Sequence, residues 1–130
     1  MSLHTEISEG VKISVHPRFF EGYSNITDSL YFFKYTITIE NLKHHKIQLM
    51  HRYWHVFDTL NESRVIEGDG VVGDTPILFP NESYSYTSGC DLGSEIGFME
   101  GFYQFKNLVT GEIFNVKIPR FEMYFPGKLN

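Results

Sequence analysis

Apolar and polar residues alternate along this chain with a period of two. In LYFFKYTITIEN, Tyr31, Phe33, Tyr35, Ile37 and Ile39 share one face, while Lys34, Thr36, Thr38 and Glu40 share the other. That pattern predicts a half-buried strand. GVKISVHPRF repeats it, with Val11, Ile13 and Val15 opposed to Lys12, Ser14 and His16. Pro17 then removes a ladder donor and pushes this strand toward an edge or an end. HKIQLMHRYWHVFD is apolar on both phases, with Ile47, Leu49, Tyr53 and Phe57 on one and Met50, Trp54 and Val56 on the other. Such a segment is either a central strand covered on both sides or a strand whose phase is switched by a bulge, and the bulge is the preferred reading. SYSYTSG adds a strand, and GFYQFKNLVTGEIFNVKIPRFE reads as a hairpin turning at residues 109–112, where Gly111 supplies a positive φ without steric cost. Turn signals at ENLKHH, DTLNES, FPNES and LVTGE separate these runs. No segment carries ten residues of clean helical period, and there is no repeat or linker. The prediction is one all-β domain over residues 1–130, a β-sandwich or barrel.

Length and composition agree with a folded domain. A chain of 130 residues buries roughly two-thirds of its extended-chain surface, enough for one core and too little for a two-domain enzyme. It is 42% hydrophobic and 16% aromatic, with twelve Phe and eight Tyr, which argues against disorder. Sixteen acids against eleven bases give a net charge of −5, so the clustered Lys and Arg that bind nucleic acid are missing. No apolar run approaches the ~20 residues that cross a bilayer, so membrane insertion is not expected, and MSLHTEISEG lacks the form of a signal peptide. The single cysteine, Cys90, forms no internal disulfide and fits a reducing compartment. A cytoplasmic location is expected.

The chemistry most open to over-reading lies in EGDGVVGDTP, where Gly68, Gly70 and Gly73 spell G-x-G-x-x-G. In a dinucleotide-binding turn these glycines lead into a helix whose free N–H groups face a pyrophosphate. Here Pro76 and Pro80 interrupt any helix, and strand alternation resumes at the tyrosines. Glu67, Asp69 and Asp74 also surround the motif with negative charge. A Rossmann site is excluded. What remains is a glycine-rich loop or strand end whose amides could cradle an anion, with Arg52 or Arg64 as phosphate partners, set against glycines that merely serve a bulge and a tight turn.

YTITIEN, IQLMHRYWHVFD, GDGVVGDTPILFPNESYSYTSGCDL, GFMEGFYQF and FNVKIP, in this order and spacing, resemble the ApaG family of small bacterial proteins. The match runs over residues 11–121. The first ten residues and the tail EMYFPGKLN lie outside it; the former are expected to be flexible, and their MSL start reads as vector-derived. The resemblance implies an immunoglobulin or fibronectin type III-like antiparallel β-sandwich. It implies an association with cobalt resistance and magnesium efflux, and no hydrolase activity. Related domains in eukaryotic F-box and polymerase-interacting proteins look like protein-binding modules. The family is also discussed as a nucleotide or pyrophosphate binder through the glycines that are Gly68, Gly70 and Gly73 here.

The metal association prompts a search for ligands. His51 and His55, four residues apart on a strand, sit about 13 Å from each other, too far to share an ion. His44 and His45 lie in a turn between Lys43 and Lys46, whose charge opposes a cation. Cys90 reads as a small core residue. No metal site or cofactor is expected. No nucleophile elbow is present either, since YTSGC lacks the leading glycine of G-x-S-x-G; the chain is expected not to be an enzyme. Phe19, Phe20, Tyr23, Tyr53, Trp54, Tyr84 and Tyr86 exceed what one inward face per strand requires. An exposed aromatic patch at Tyr53 and Trp54 with Arg52 beside it is therefore expected to dock a protein partner, and a free strand edge could pair with a partner chain or a second copy. Two functions stand: an interaction module in divalent-cation homeostasis, or a sensor holding a pyrophosphate-containing nucleotide, with Glu67, Asp69 and Asp74 binding its magnesium or cobalt.

Overall fold

The computed structural model describes residues 1–129. Nine strands follow one another: β1 (His4–Ser8), β2 (Val11–Phe19), β3 (Tyr31–Asn41), β4 (Ile47–Asp58), β5 (Arg64–Asp69), β6 (Ile77–Leu78), β7 (Ser83–Leu92), β8 (Ile96–Asn107) and β9 (Ile113–Tyr124). Three short 3-10 turns, Glu21–Tyr23, Ile26–Asp28 and Pro126–Leu129, are the helical elements among the described residues. The strands form two antiparallel sheets, ordered β1-β2-β3-β7 and β5-β4-β8-β9, with β6 pairing β4. The chain changes sheet between β3 and β4, between β6 and β7, and again between β7 and β8, giving the immunoglobulin/fibronectin type III-like sandwich.

The alternating faces meet in the middle. Val11, Ile13, Val15, Phe33, Ile37 and Ile39 of the first sheet are fully buried against Leu49, Val56, Tyr103, Phe105, Val116 and Ile118 of the second. Trp54 sits among rings of both sheets, with centroids 5.5 Å from Tyr35, 5.9 Å from Phe121 and 6.3 Å from Tyr103. The turn after β8 carries Gly111 at φ 78°, as its sequence predicts. Pro17 pairs with Tyr35 of β3, beyond the last β1 pairing at His4 and Val15. The proline therefore occupies the stretch of β2 that has β3 on one side alone.

The predicted bulge in β4 is real and falls between Leu49 and His51. Before it, Ile47 and Leu49 point inward; after it, Trp54 and Val56 do. One extra residue thus reverses the strand's faces. Arg52 takes the inward phase of Trp54, and Tyr53 the outward one.

Within the first ten residues, for which flexibility is expected from the sequence, residues 4–8 form β1. β1 pairs with β2 through residues 4–8, and its side chains reach the far sheet: the Lys117 backbone N–H donates to Ser8 Oγ at 3.0 Å, and Lys117 Nζ lies 3.7 Å from Glu6. β1 so covers the flank where the edge of β9 would lie open. Only Ile7 in HTEIS is apolar, too little for period-two reading to register.

Candidate functional site

The three glycines of the G-x-G-x-x-G segment do three different jobs. Val71 and Asp74 exchange both backbone hydrogen bonds, at 2.8 and 2.9 Å, and between them Val72 and Gly73 sit at φ 48° and 75°. This is a two-residue hairpin turn of the type I′ pattern, which requires positive φ at both central positions. Gly73 meets that requirement freely. Gly70, at φ 60°, donates its N–H to the Met50 carbonyl at 2.9 Å, so the hairpin is tied to the β4 bulge. A Cβ on Gly70 would lie 2.0 Å from the Asp74 carbonyl oxygen. Gly68, within β5 opposite Arg52, leaves room for that residue's guanidinium, whose Nη2 lies 3.1 Å from where a Cβ would stand.

Arg52 is held over this segment by its carbonyls. Nη1 donates to the oxygens of Asp69 at 2.9 Å and Gly70 at 3.0 Å. The amides that an anion would need are in part already engaged: those of Gly70, Val71 and Asp74 bond to Met50, Asp74 and Val71. Arg64, the second predicted phosphate partner, stands at the other end of β5. It donates to the Asp91 carbonyl and approaches the Asp91 carboxylate and Cys90 Sγ, each at 3.4 Å, so it does not join Arg52. The three acids do not converge on one point. Glu67 and Asp69 flank His51 at 3.8 and 3.4 Å, while Asp74 accepts from the Tyr84 hydroxyl at 3.2 Å. Among the described residues no three His, Cys, Asp or Glu side chains cluster to hold a metal ion. Cys90 is buried, and burial pushes its thiol up to about 11, which suits a core residue.

Val72 is the anomaly, since β-branched residues rarely hold positive φ. Val72→Asn is expected to raise stability by about 1 kcal/mol, because Asn-Gly is the preferred pair for this turn; urea unfolding of the two proteins measures it, and a lower midpoint for the variant would contradict the turn assignment.

Trp54 corrects the sequence reading of a docking patch. It is 2% exposed, a consequence of the phase that the bulge imposes, and Arg52 beside it also turns inward. Tyr53 does face outward, where it joins an aromatic array that the sequence reading did not assemble. On the outer face of the larger sheet Tyr53 pairs with Phe102 and Phe57 with Phe98 across the β4–β8 ladder. Both pairs stack, at centroid distances of 5.0 and 4.1 Å, with His55 4.0 Å from Phe57 and the Arg120 guanidinium 3.5 Å from the Phe98 ring. All four pair members are half-buried. A shallow groove of about 330 Å³ runs beside Tyr53, His55, Glu100, Phe102 and Lys117. The signal available in the sequence was aromatic residues on the polar phase of two strands, visible only once their register is known.

The chain matches the family model described as the ApaG domain over residues 21–107. It is 42% identical to Protein ApaG of Shewanella woodyi over 97% of this chain and 99% of that protein, and 38% identical to Protein ApaG of Mesorhizobium japonicum over 96% and 95%. The crystal structure of the ApaA protein from Bordetella pertussis superposes with a TM-score of 0.85 at 36% identity, covering 89% of this chain and 94% of that one. With a family model across most of its length and full-length relatives of this similarity, the chain belongs to the ApaG family.

Proposed function

We propose that this ApaG-family protein is a non-enzymatic, cytoplasmic interaction module that docks a protein partner on the outer face of its larger sheet, in the cobalt-resistance and magnesium-efflux setting that the family resemblance implies. The observation supporting this reading is the pair of registered, half-exposed aromatic stacks, Tyr53 with Phe102 and Phe57 with Phe98. Rings already fixed by stacking lose little conformational entropy on binding, and clustered aromatics with an arginine at their rim are the composition of binding hot spots. Arg120 and Lys117 on this face would favour a partner carrying acidic residues around an apolar centre.

The alternative, a pyrophosphate or nucleotide sensor on Gly68, Gly70 and Gly73, receives less support. Each glycine has a conformational or packing reason of its own, and of the carboxylates meant to hold a cation Glu67 and Asp69 face His51 while Asp74 faces Tyr84.

A strain lacking this gene and complemented with the wild type or with Tyr53→Ala/Phe102→Ala tests the docking reading, with photo-crosslinking from position 57 as a second readout. Equal protein levels, with cobalt tolerance and the crosslinked adduct both lost in the variant, are expected. Full tolerance restored by the variant would overturn it.

A further inference from the structure

The edges of β5 and β7 face each other across one flank of the sandwich and are fastened at both ends. At one end Arg64 donates to the Asp91 carbonyl; at the other the Tyr84 hydroxyl donates to Asp74 at 3.2 Å. Between these fastenings lies a cavity of about 210 Å³, lined by Arg52, Tyr35, Tyr86, Ser88, Ile66 and Val72 among others. Its polar groups are unusually matched to one kind of guest. Arg52 forms no ion pair among the described residues; its hydrogen bonds go to the neutral carbonyls of Asp69 and Gly70. A half-buried guanidinium without a counter-ion, in a chain of net charge −5, is a positive charge left uncompensated.

The hydroxyls around it are donors. Tyr86 and Tyr103 share a hydrogen bond, and Tyr35 and Ser88 line the same cavity. The Tyr86–Tyr103 pair has two O–H protons and uses one internally, so one is left to give, and Tyr35 and Ser88 each bring a hydroxyl of their own. Burial pushes Tyr35 up to about 12 and raises Tyr86 and Tyr103 as well, so all three hydroxyls stay protonated at physiological pH.

We propose that this inter-sheet cavity binds a small oxyanion, a phosphate or carboxylate group, with Arg52 as its charge partner and the hydroxyls of Tyr86, Tyr35 and Ser88 as additional donors. Charge-assisted hydrogen bonds in a partly desolvated site are the strong ones. At about 210 Å³ the cavity has room for one phosphate or a short carboxylic acid. Val72 supports the assignment independently. Its conformation costs about 1 kcal/mol or more, and the side chain so placed walls the cavity. The site lies on the opposite face of β4 from the aromatic stacks, and it uses side chains rather than the hairpin amides, so a titration can distinguish its failure from that of either reading above.

Amide and arginine Nε–Hε NMR titrations of the full-length protein with sodium phosphate, and separately with sodium acetate, at constant ionic strength test it. Saturable shifts at Arg52 and at residues 86–89 are expected from at least one anion, and which anion produces them identifies the guest. Tyr86→Phe, which keeps the ring, should weaken binding about tenfold, and Arg52→Gln, its fold checked by the same spectra, should abolish it. The proposal is overturned by silence from both anions at about ten times a millimolar Kd, by shifts unchanged in Tyr86→Phe, or by shifts confined to the Val72 and Gly73 amides.

Discussion

Gly70→Ala is expected to destabilise the protein by about 3 kcal/mol, well beyond either neighbouring glycine substitution. Two costs combine. A residue with a Cβ at φ 60° pays about 1 to 2 kcal/mol for the left-handed conformation. The new Cβ would also stand 2.0 Å from the Asp74 carbonyl oxygen, which is the acceptor for Val71, so relief requires breaking the hairpin's own hydrogen bond at about another 1 kcal/mol. Gly73→Ala meets the first cost alone, with nothing within 4 Å of its Cβ. Gly68→Ala meets neither backbone nor positive φ; it nudges the Arg52 guanidinium and should leave stability within about 0.5 kcal/mol. Urea unfolding at constant m resolves the order Gly70, Gly73, Gly68. A Gly70→Ala loss no greater than that of Gly73→Ala would mean the hairpin can open without cost, and its packing against the bulge would no longer explain the glycine.

This ordering also explains why a motif so suggestive in the sequence was legible only in part. Period-two alternation was enough to place β2, β3, β7 and the β8–β9 hairpin, because each buries one face and exposes the other. A tight turn at the glycines could be anticipated from the absence of a following helix. The seat of Arg52 on Gly68 could not be, since it depends on a cross-strand register that local pattern does not encode. The bulge was anticipated, but not its position, and its position decides which of Arg52, Tyr53 and Trp54 faces solvent. Assigning all three to one docking patch was the result: neighbours along a strand alternate faces, so Tyr53 could share an exposed surface with neither of the others. β1 and β5 escaped notice for a different reason. Both are flank strands with few buried side chains, and their role is to complete or cover an edge rather than to fill the core.

Trp54→Ala should therefore lower stability by about 3 to 5 kcal/mol, as expected for a large buried aromatic, and drop the melting temperature by about 10 °C or more in a domain of this size. The adjacent Tyr53→Ala should cost about 1 kcal/mol, the worth of one exposed ring stack, while removing a ring from the proposed docking face. Thermal unfolding of the two variants measures the contrast directly. The comparison reaches beyond the two residues because β4 has a single phase after its bulge: if Trp54 is inward, so is Arg52, and the cavity between β5 and β7 has its cation. A Tyr53→Ala protein less stable than Trp54→Ala would place the phase switch elsewhere in β4. Arg52 would then point to solvent, Tyr53 would belong to the core, and both the aromatic face and the oxyanion cavity would lose the residue on which each depends.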